Sequence, residues 1–193
     1  MRTAQELREG QAILVDGDLY KILAVAIHSG TGQFSGSVRA TLRHLQTGRE
    51  REMRWGWDDR VEDVALERVK MQFLYSDQDE VVFMHPETYE QVSLPSVALA
   101  KVLPFLKEGD QIQVECHDSK PVTVTMPKAV AVTVASCGSG IRGQGENTMK
   151  DATLENGMAI QVPQFIQPGD VVEVEVETHK YLDRVRKEGK KAS

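Results

Sequence analysis

An all-β protein made of three small β-barrel modules is the architecture that this chain of 193 residues predicts. Three observations carry that expectation. Apolar residues recur with period 2 almost throughout, the runs are short and separated by Asp-Gly, Thr-Gly, Ser-Gly and Pro-Gly pairs, and helix signals are scarce. Period 2 places alternate side chains on one face of a pleated strand, and many short strands between tight turns favour small barrels over a parallel sheet.

Taken in chain order, Thr3 and Glu6 have the spacing of a capping box and predict one helical turn ending at Gly10. Ser96 to Ala100, with Leu103 and Leu106, predicts a short helix broken near Pro104. Such a lone helix among strands suits an OB-type barrel. Ile112, Val114 and Cys116 alternate with polar residues, Asp118-Ser119 supplies a turn, and Val122, Val124 and Met126 alternate again, which predicts a hairpin with one buried face. Val130, Val132 and Val134 repeat the pattern, as do Val172, Val174 and Val176 set between Glu173, Glu175 and Glu177. Breaks at about 64–67 and 126–128 divide the chain into modules 1–65, 66–127 and 128–193. Units of that size bury little surface alone, so the first two are expected to pack on one another.

Hydrophobic residues make up 40% and charged residues 27% of the chain, the balance of a folded rather than a disordered protein. No apolar run approaches the roughly 18 residues needed to cross a bilayer, and Met1 to Leu7 has no signal-peptide core. The expectation is a cytoplasmic protein with no membrane partner. Cys116 and Cys137 read as reduced, buried or half-buried strand thiols. His28, His44, His85, His117 and His179 are scattered, without the spacing of a metal site or a catalytic triad. The residues therefore nominate no catalytic group, no metal, no cofactor and no small-molecule substrate. A monomeric binding protein is expected rather than an enzyme.

One stretch is far more specific. Lys150, Ala152, Gly157, Ile160, Val162, Pro163, Ile166 and Gly169 fit the irregular signature Lys-x-Ala-x4-Gly-x2-aliphatic-x-Val-Pro-x2-aliphatic-x2-Gly in full. A second block, Leu66-Glu67-Arg68 with Met71-Gln72-Phe73-Leu74-Tyr75, then Val82-Phe83-Met84 and Glu87-Thr88-Tyr89-Glu90-Gln91, supports the same resemblance independently. The chain resembles the bacterial elongation factor P family, nearly end to end from Gly10 to Arg184. The resemblance implies an N-terminal KOW or SH3-like barrel followed by two OB folds in an L-shaped, tRNA-like arrangement. It also implies a translation factor that binds the 70S ribosome between the P and E sites, contacts P-site tRNA and ribosomal RNA, and promotes peptide-bond formation at stalling sequences such as proline runs.

The family's first barrel presents a hairpin tip whose basic residue reaches the acceptor end of the P-site tRNA. Here the corresponding loop, residues 29–37, contains neither Lys nor Arg. Counting forward from Tyr20 puts the tip at Gly32, counting back from Arg39 and Leu42 puts it at Gln33, and the Gly30-Thr31-Gly32 frame puts it at Thr31. All three assignments stay open. The resemblance makes Gly30, Thr31, Gly32, Gln33 and Phe34 the tRNA-contacting tip, with neutral donors and an aromatic ring that either stacks on a base or packs on its own barrel. No lysyl or rhamnosyl modification of a tip Lys or Arg can occur where neither residue exists. A second departure lies in residues 139–154, where Gln144 stands for an acidic residue and Asp151 for a proline, while Arg142 keeps the basic character before Gly143.

Charge is uneven. Residues 144–178 hold seven acidic residues and one basic, and residues 180–193 hold six basic and two acidic. A net charge of -6 disfavours broad phosphate coating and is compatible with a defined slot on a ribosome. Arg39, Arg142, Gln144, Arg184 and Arg186 are the candidate RNA or ribosome contacts, the plainer reading of the basic tail being a solvated terminus. The alternative from a different class is an OB-fold RNA-binding or regulatory protein that no longer acts in elongation.

Overall fold

The computed structural model describes residues 1–29, 36–138 and 149–185. Their regular structure is strands and three short 3-10 turns, gathered in two compact units: Met1–Ala100 with Lys107–Thr125, and Lys101–Leu106 with Met126–Ser193. No helix among the described residues is long and apolar enough to cross a membrane.

The first unit contains two antiparallel sheets. Strands β1 (Arg2–Thr3), β2 (Ala12–Val15), β3 (Asp18–His28), β4 (Ser37–His44), β5 (Glu50–Gly56) and β6 (Arg60–Val64) form one, in the order β1-β6-β2-β3-β4-β5. The alternation read from the sequence is plain on β4, where Val38, Ala40 and Leu42 are buried and Arg39 faces solvent. Those three join Leu7, Ile13, Tyr20, Ile22 and Val61 in one core cluster, each large aliphatic contributing about 1.5–3 kcal/mol by leaving water. The second sheet holds β7 (Glu67–Ser76), β8 (Glu80–Met84), β9 (Gln91–Pro95), β10 (Gln111–His117) and β11 (Lys120–Thr125), in the order β11-β10-β7-β8-β9. Its edge strands β9 and β11 come together, closing the barrel.

The second unit holds β12 (Ala129–Cys137), β13 (Met149–Leu154), β14 (Ala159–Pro163), β15 (Val171–Glu175) and β16 (Tyr181–Arg184), in the order β14-β13-β12-β15-β16. The two valine runs face each other in register, Val130 opposite Val174 and Val132 opposite Val172. Edges β14 and β16 meet.

Helix is scarcer than expected. The capping box forms, with the amide and hydroxyl of Thr3 both donating to Glu6 Oε2 at 2.9 Å, but it opens only a 3-10 turn at Ala4–Glu6. The helix expected from Ser96 onward is two separate 3-10 turns, Ser96–Leu99 and Leu103–Phe105. Segments that short close too few hydrogen bonds to offset helix nucleation, and Pro104 removes a donor inside the second.

The predicted hairpin is present, its turn residues Asp118 and Ser119 both left-handed (φ 48° and 62°). The expectation of one buried face is corrected at Glu115, which is 3% exposed although it lies on the face opposite Val114 and Cys116. The first sheet supplies the reason. Lys21 Nζ on β3 donates to Glu115 Oε2 at 2.6 Å, and Arg68 Nε on β7 donates to Oε1 at 3.3 Å. Burial pushes the Glu115 pKa up, but the Lys21 hydrogen bond and charge, then Thr125 and the Arg68 charge, outweigh it and hold the carboxyl below its ordinary 4.5. Thr125 Oγ1 closes no hydrogen bond of ordinary geometry, so Lys21 carries most of the compensation.

Candidate nucleic-acid interface

The β3–β4 hairpin runs from Tyr20 opposite His44 to a last rung of His28 opposite Ser37, with a register shift between Ile22 and Ala24. Residues 29–36 connect the two strands beyond that rung. The tip residues Gly30, Thr31, Gly32, Gln33 and Phe34 lie outside the described residues, but the foot of the hairpin is fully defined. Trp57 closes over it: the Trp57 amide donates to Gly36 O at 3.1 Å, and a Cβ on Gly36 would stand 2.3 Å from Trp57 Cε3 and 2.8 Å from His28 O. Only glycine fits between that indole and the backbone of the opposite strand.

Arg39 sits on the outer face just below this foot. Its partner across β5 is Arg54, in direct cross-strand register, and both are exposed. Like charges placed directly opposite destabilise a sheet. Arg54 Nη2 donates to Ser37 Oγ at 3.0 Å, which holds that guanidinium toward the hairpin foot. On β3, Ala26 opposes Arg39 and His28 opposes Ser37, so His28 shares the face. The face also carries Thr41 and, opposite it, Glu52, which lies diagonal to Arg39; the two exposed guanidiniums are suited to accept an anion such as a phosphate.

The second candidate surface lies in the other unit. Arg184, the last residue of β16, places its guanidinium carbon 5.7 Å from the Phe165 ring centroid, and Nη1 lies 3.8 Å from Asp170 Oδ2. Phe165 is 57% exposed. Gln164, its neighbour, donates through Nε2 to Met149 O at 3.2 Å, while its Oε1 is buried without a hydrogen bond. Met149 resumes the described chain after residues 139–148, and Gly138, before them, donates its amide to Asp151 O at 2.8 Å. Arg184 and Phe165 therefore stand beside the anchored end of the segment that carries Arg142 and Gln144. Those two residues and Arg186 lie outside the described residues. Arg39 and Arg184 belong to different units.

Sequence reading named Arg39 and Arg184 but missed Arg54, His28 and Phe165. Arg54 becomes legible only through its register with Arg39 across the β4–β5 turn. Phe165 occupies a variable position of the Val-Pro-x-x-aliphatic signature, so nothing in the pattern singles it out.

No group of His, Cys, Asp and Glu side chains among the described residues is placed to hold a metal ion. Cys116 and Cys137 are free thiols, the first buried and the second half-buried. Burial, aided by Glu67, pushes the Cys116 thiol up and away from reactivity.

Tandem barrels with exposed arginines and an aromatic ring at the feet of their loops define an all-β protein built from small barrel modules. Family models resolve the class. "Elongation factor P (EF-P) KOW-like domain" matches residues 3–61, "Elongation factor P (EF-P) OB domain" matches 66–124, and "Elongation factor P, C-terminal" matches 130–184. Elongation factor P 1 of Porphyromonas gingivalis is 34% identical over 189 residues, covering 96% of this chain and 100% of its own. Elongation factor P of Coprothermobacter proteolyticus is 36% identical over 186 residues, with the same coverage. Among solved structures, translation initiation factor 5A of Methanococcus jannaschii aligns at 20% identity with a TM-score of 0.45, over 64% of this chain and 92% of its own. The chain belongs to the elongation factor P family of translation elongation factors.

Proposed function

We propose that this protein binds the 70S ribosome between the P and E sites as a non-enzymatic factor and promotes peptide-bond formation at stalling sequences such as proline runs. Residues 1–65 face the P-site tRNA through the hairpin tip, Gly30 to Phe34, and residues 128–193 reach ribosomal RNA through Arg142, Gln144, Arg184 and Arg186.

The single observation that carries this reading is the opposed Arg39 and Arg54 pair at the foot of the hairpin. With no cation in residues 29–37, the charge-assisted grip on the tRNA backbone moves from the tip to the foot. The neutral tip keeps the lesser task of orienting the acceptor end. Orientation near a reacting centre is worth several orders of magnitude in effective molarity, so a neutral tip still contributes, though less than an ammonium whose bonds are roughly twice as strong.

The test replaces residues 29–37 with a short Gly-Ser turn and measures 70S binding and peptide transfer separately. Binding should stay within a few fold, because most contact area lies on the barrel bodies, while stimulation of transfer through a proline run should fall strongly. Equal stimulation by the truncated and intact proteins would make the hairpin a passive remnant. Failure of both to bind ribosomes, with both still shifting free RNA, would favour an OB-fold RNA-binding protein outside elongation.

A further inference from the structure

One six-residue reverse turn occurs in each of the three sheets. In His44–Arg49, His85–Glu90 and Glu175–Lys180, the first amide donates to the sixth carbonyl at 2.9 Å, and the fifth amide donates to the first carbonyl at 2.9, 3.0 and 2.8 Å respectively. The fourth residue is threonine each time: Thr47, Thr88 and Thr178. The fifth is left-handed each time: Gly48 at φ 68°, Tyr89 at 59° and His179 at 56°. In the first two turns a histidine Nδ1 accepts the amides of the third and fourth residues.

In two of these turns the fifth residue is a packing point. Gly48 lies so close to the Ser96–Leu99 turn that a Cβ would stand 2.6 Å from Val97 O. His179 sets its ring against Phe105, centroids 5.6 Å apart, with Nε2 2.8 Å from Lys101 O. Tyr89 has no such use, being 71% exposed. The turn itself imposes the left-handed conformation at its fifth residue, at a cost for a bulky side chain; what sets Tyr89 apart is a large ring left in solvent at the position that the other two turns use for packing.

The chemistry around the ring narrows the partner. Glu87 and Glu90 flank Tyr89, both exposed, and the turn from His85 to Gln91 carries no Lys or Arg. Two carboxylates repel phosphate. An aromatic face between carboxylates instead matches a guanidinium or ammonium, which the ring attracts through its quadrupole while the carboxylates bond its N–H groups. We propose that Tyr89, with Glu87 and Glu90, is a docking point for an arginine- or lysine-rich protein surface. Resting on the ribosomal reading above, it meets a ribosomal protein rather than ribosomal RNA.

The test places a photoreactive p-benzoylphenylalanine at position 89 or, separately, at position 165 of the full chain, and irradiates each with 70S ribosomes carrying peptidyl-tRNA and a vacant E site. The expected product at position 89 is a nuclease-resistant adduct on a Lys- or Arg-rich peptide. A nuclease-sensitive adduct at 89, or an adduct from 165 alone, would overturn the docking point and leave ribosome binding intact; adducts from neither would overturn both. In parallel, Tyr89→Gly should raise the Tm by relieving the left-handed strain yet weaken 70S binding about tenfold, as expected for one interface anchor, whereas Tyr89→Phe should bind nearly as well as the parent. A Tyr89→Gly protein that binds as tightly as the parent overturns the proposal.

Discussion

Lys21 Nζ stands 2.6 Å from Glu115 Oε2, so an ion pair 94 positions apart in sequence joins the first sheet to the second. The carboxylate side chain is 4% exposed and the lysine 22%. Removing one partner of a buried pair leaves an uncompensated charge and costs about 3–5 kcal/mol, whereas replacing both with apolar groups is often close to neutral. Arg68, at 61% exposure, compensates in part, so Lys21→Met should fall at the low end of that range. Lys21→Met with Glu115→Leu should recover most of the loss in urea unfolding. Additive losses in the double variant would show that the pair is not the joint between the sheets.

The same carboxylate makes stability depend on acid in a defined direction. Its folded pKa lies below the ordinary 4.5 because Lys21 and Arg68 together outweigh burial. A depressed folded pKa contributes stability that is fully present above the unfolded value and lost as the pH falls through the folded value. The protein should therefore lose stability as the pH falls below about 4.5, and Glu115→Gln should show a shallower fall there despite a lower starting point. Parallel pH profiles of the two proteins would assign the acid sensitivity to other carboxylates.

Gly36→Ala tests the clamp at the hairpin foot. The new methyl would sit 2.3 Å from Trp57 Cε3, and overpacking of this kind costs about 1–3 kcal/mol. The indole must move, so the tryptophan emission should shift along with a lowered Tm. An unchanged spectrum and Tm would mean that Trp57 does not lie over Gly36.

How much of this was legible beforehand follows from what period 2 can see. The alternation reports one face of one strand, so Val114, Val124, Val134, Val172 and Val174 read correctly as core-facing strand positions, while Val130 and Val132 are half-buried. It is blind to whatever a second sheet places against the other face, which is why Glu115 looked like an outward residue. Cross-strand register is equally non-local: Arg39 and Arg54 are unremarkable cations until the β4–β5 turn sets them opposite each other. The 3-10 turns near Ser96 share residue preferences with a short α-helix, and only their length and Pro104 separate the two. The Lys150–Gly169 signature was the exception, since its fixed positions identify a family rather than a periodicity, and Ala152, Ile160, Val162 and Ile166 within it are all buried.

Arg54→Gln and Arg39→Gln separate a structural role from a binding one. Opposed like charges cost a sheet roughly 0.2–1 kcal/mol, so either substitution should leave the Tm unchanged or slightly raised, even though Arg54→Gln surrenders the Ser37 hydrogen bond. Ribosome binding should move the opposite way. If each guanidinium neutralises one phosphate, each substitution should weaken 70S binding and lower the slope of log affinity against log salt by roughly one. A uniform loss of affinity with an unchanged salt slope would point to an uncharged contact. A lowered Tm with binding intact would instead make the pair part of the barrel's own architecture and remove the charge-assisted grip from the foot of the hairpin.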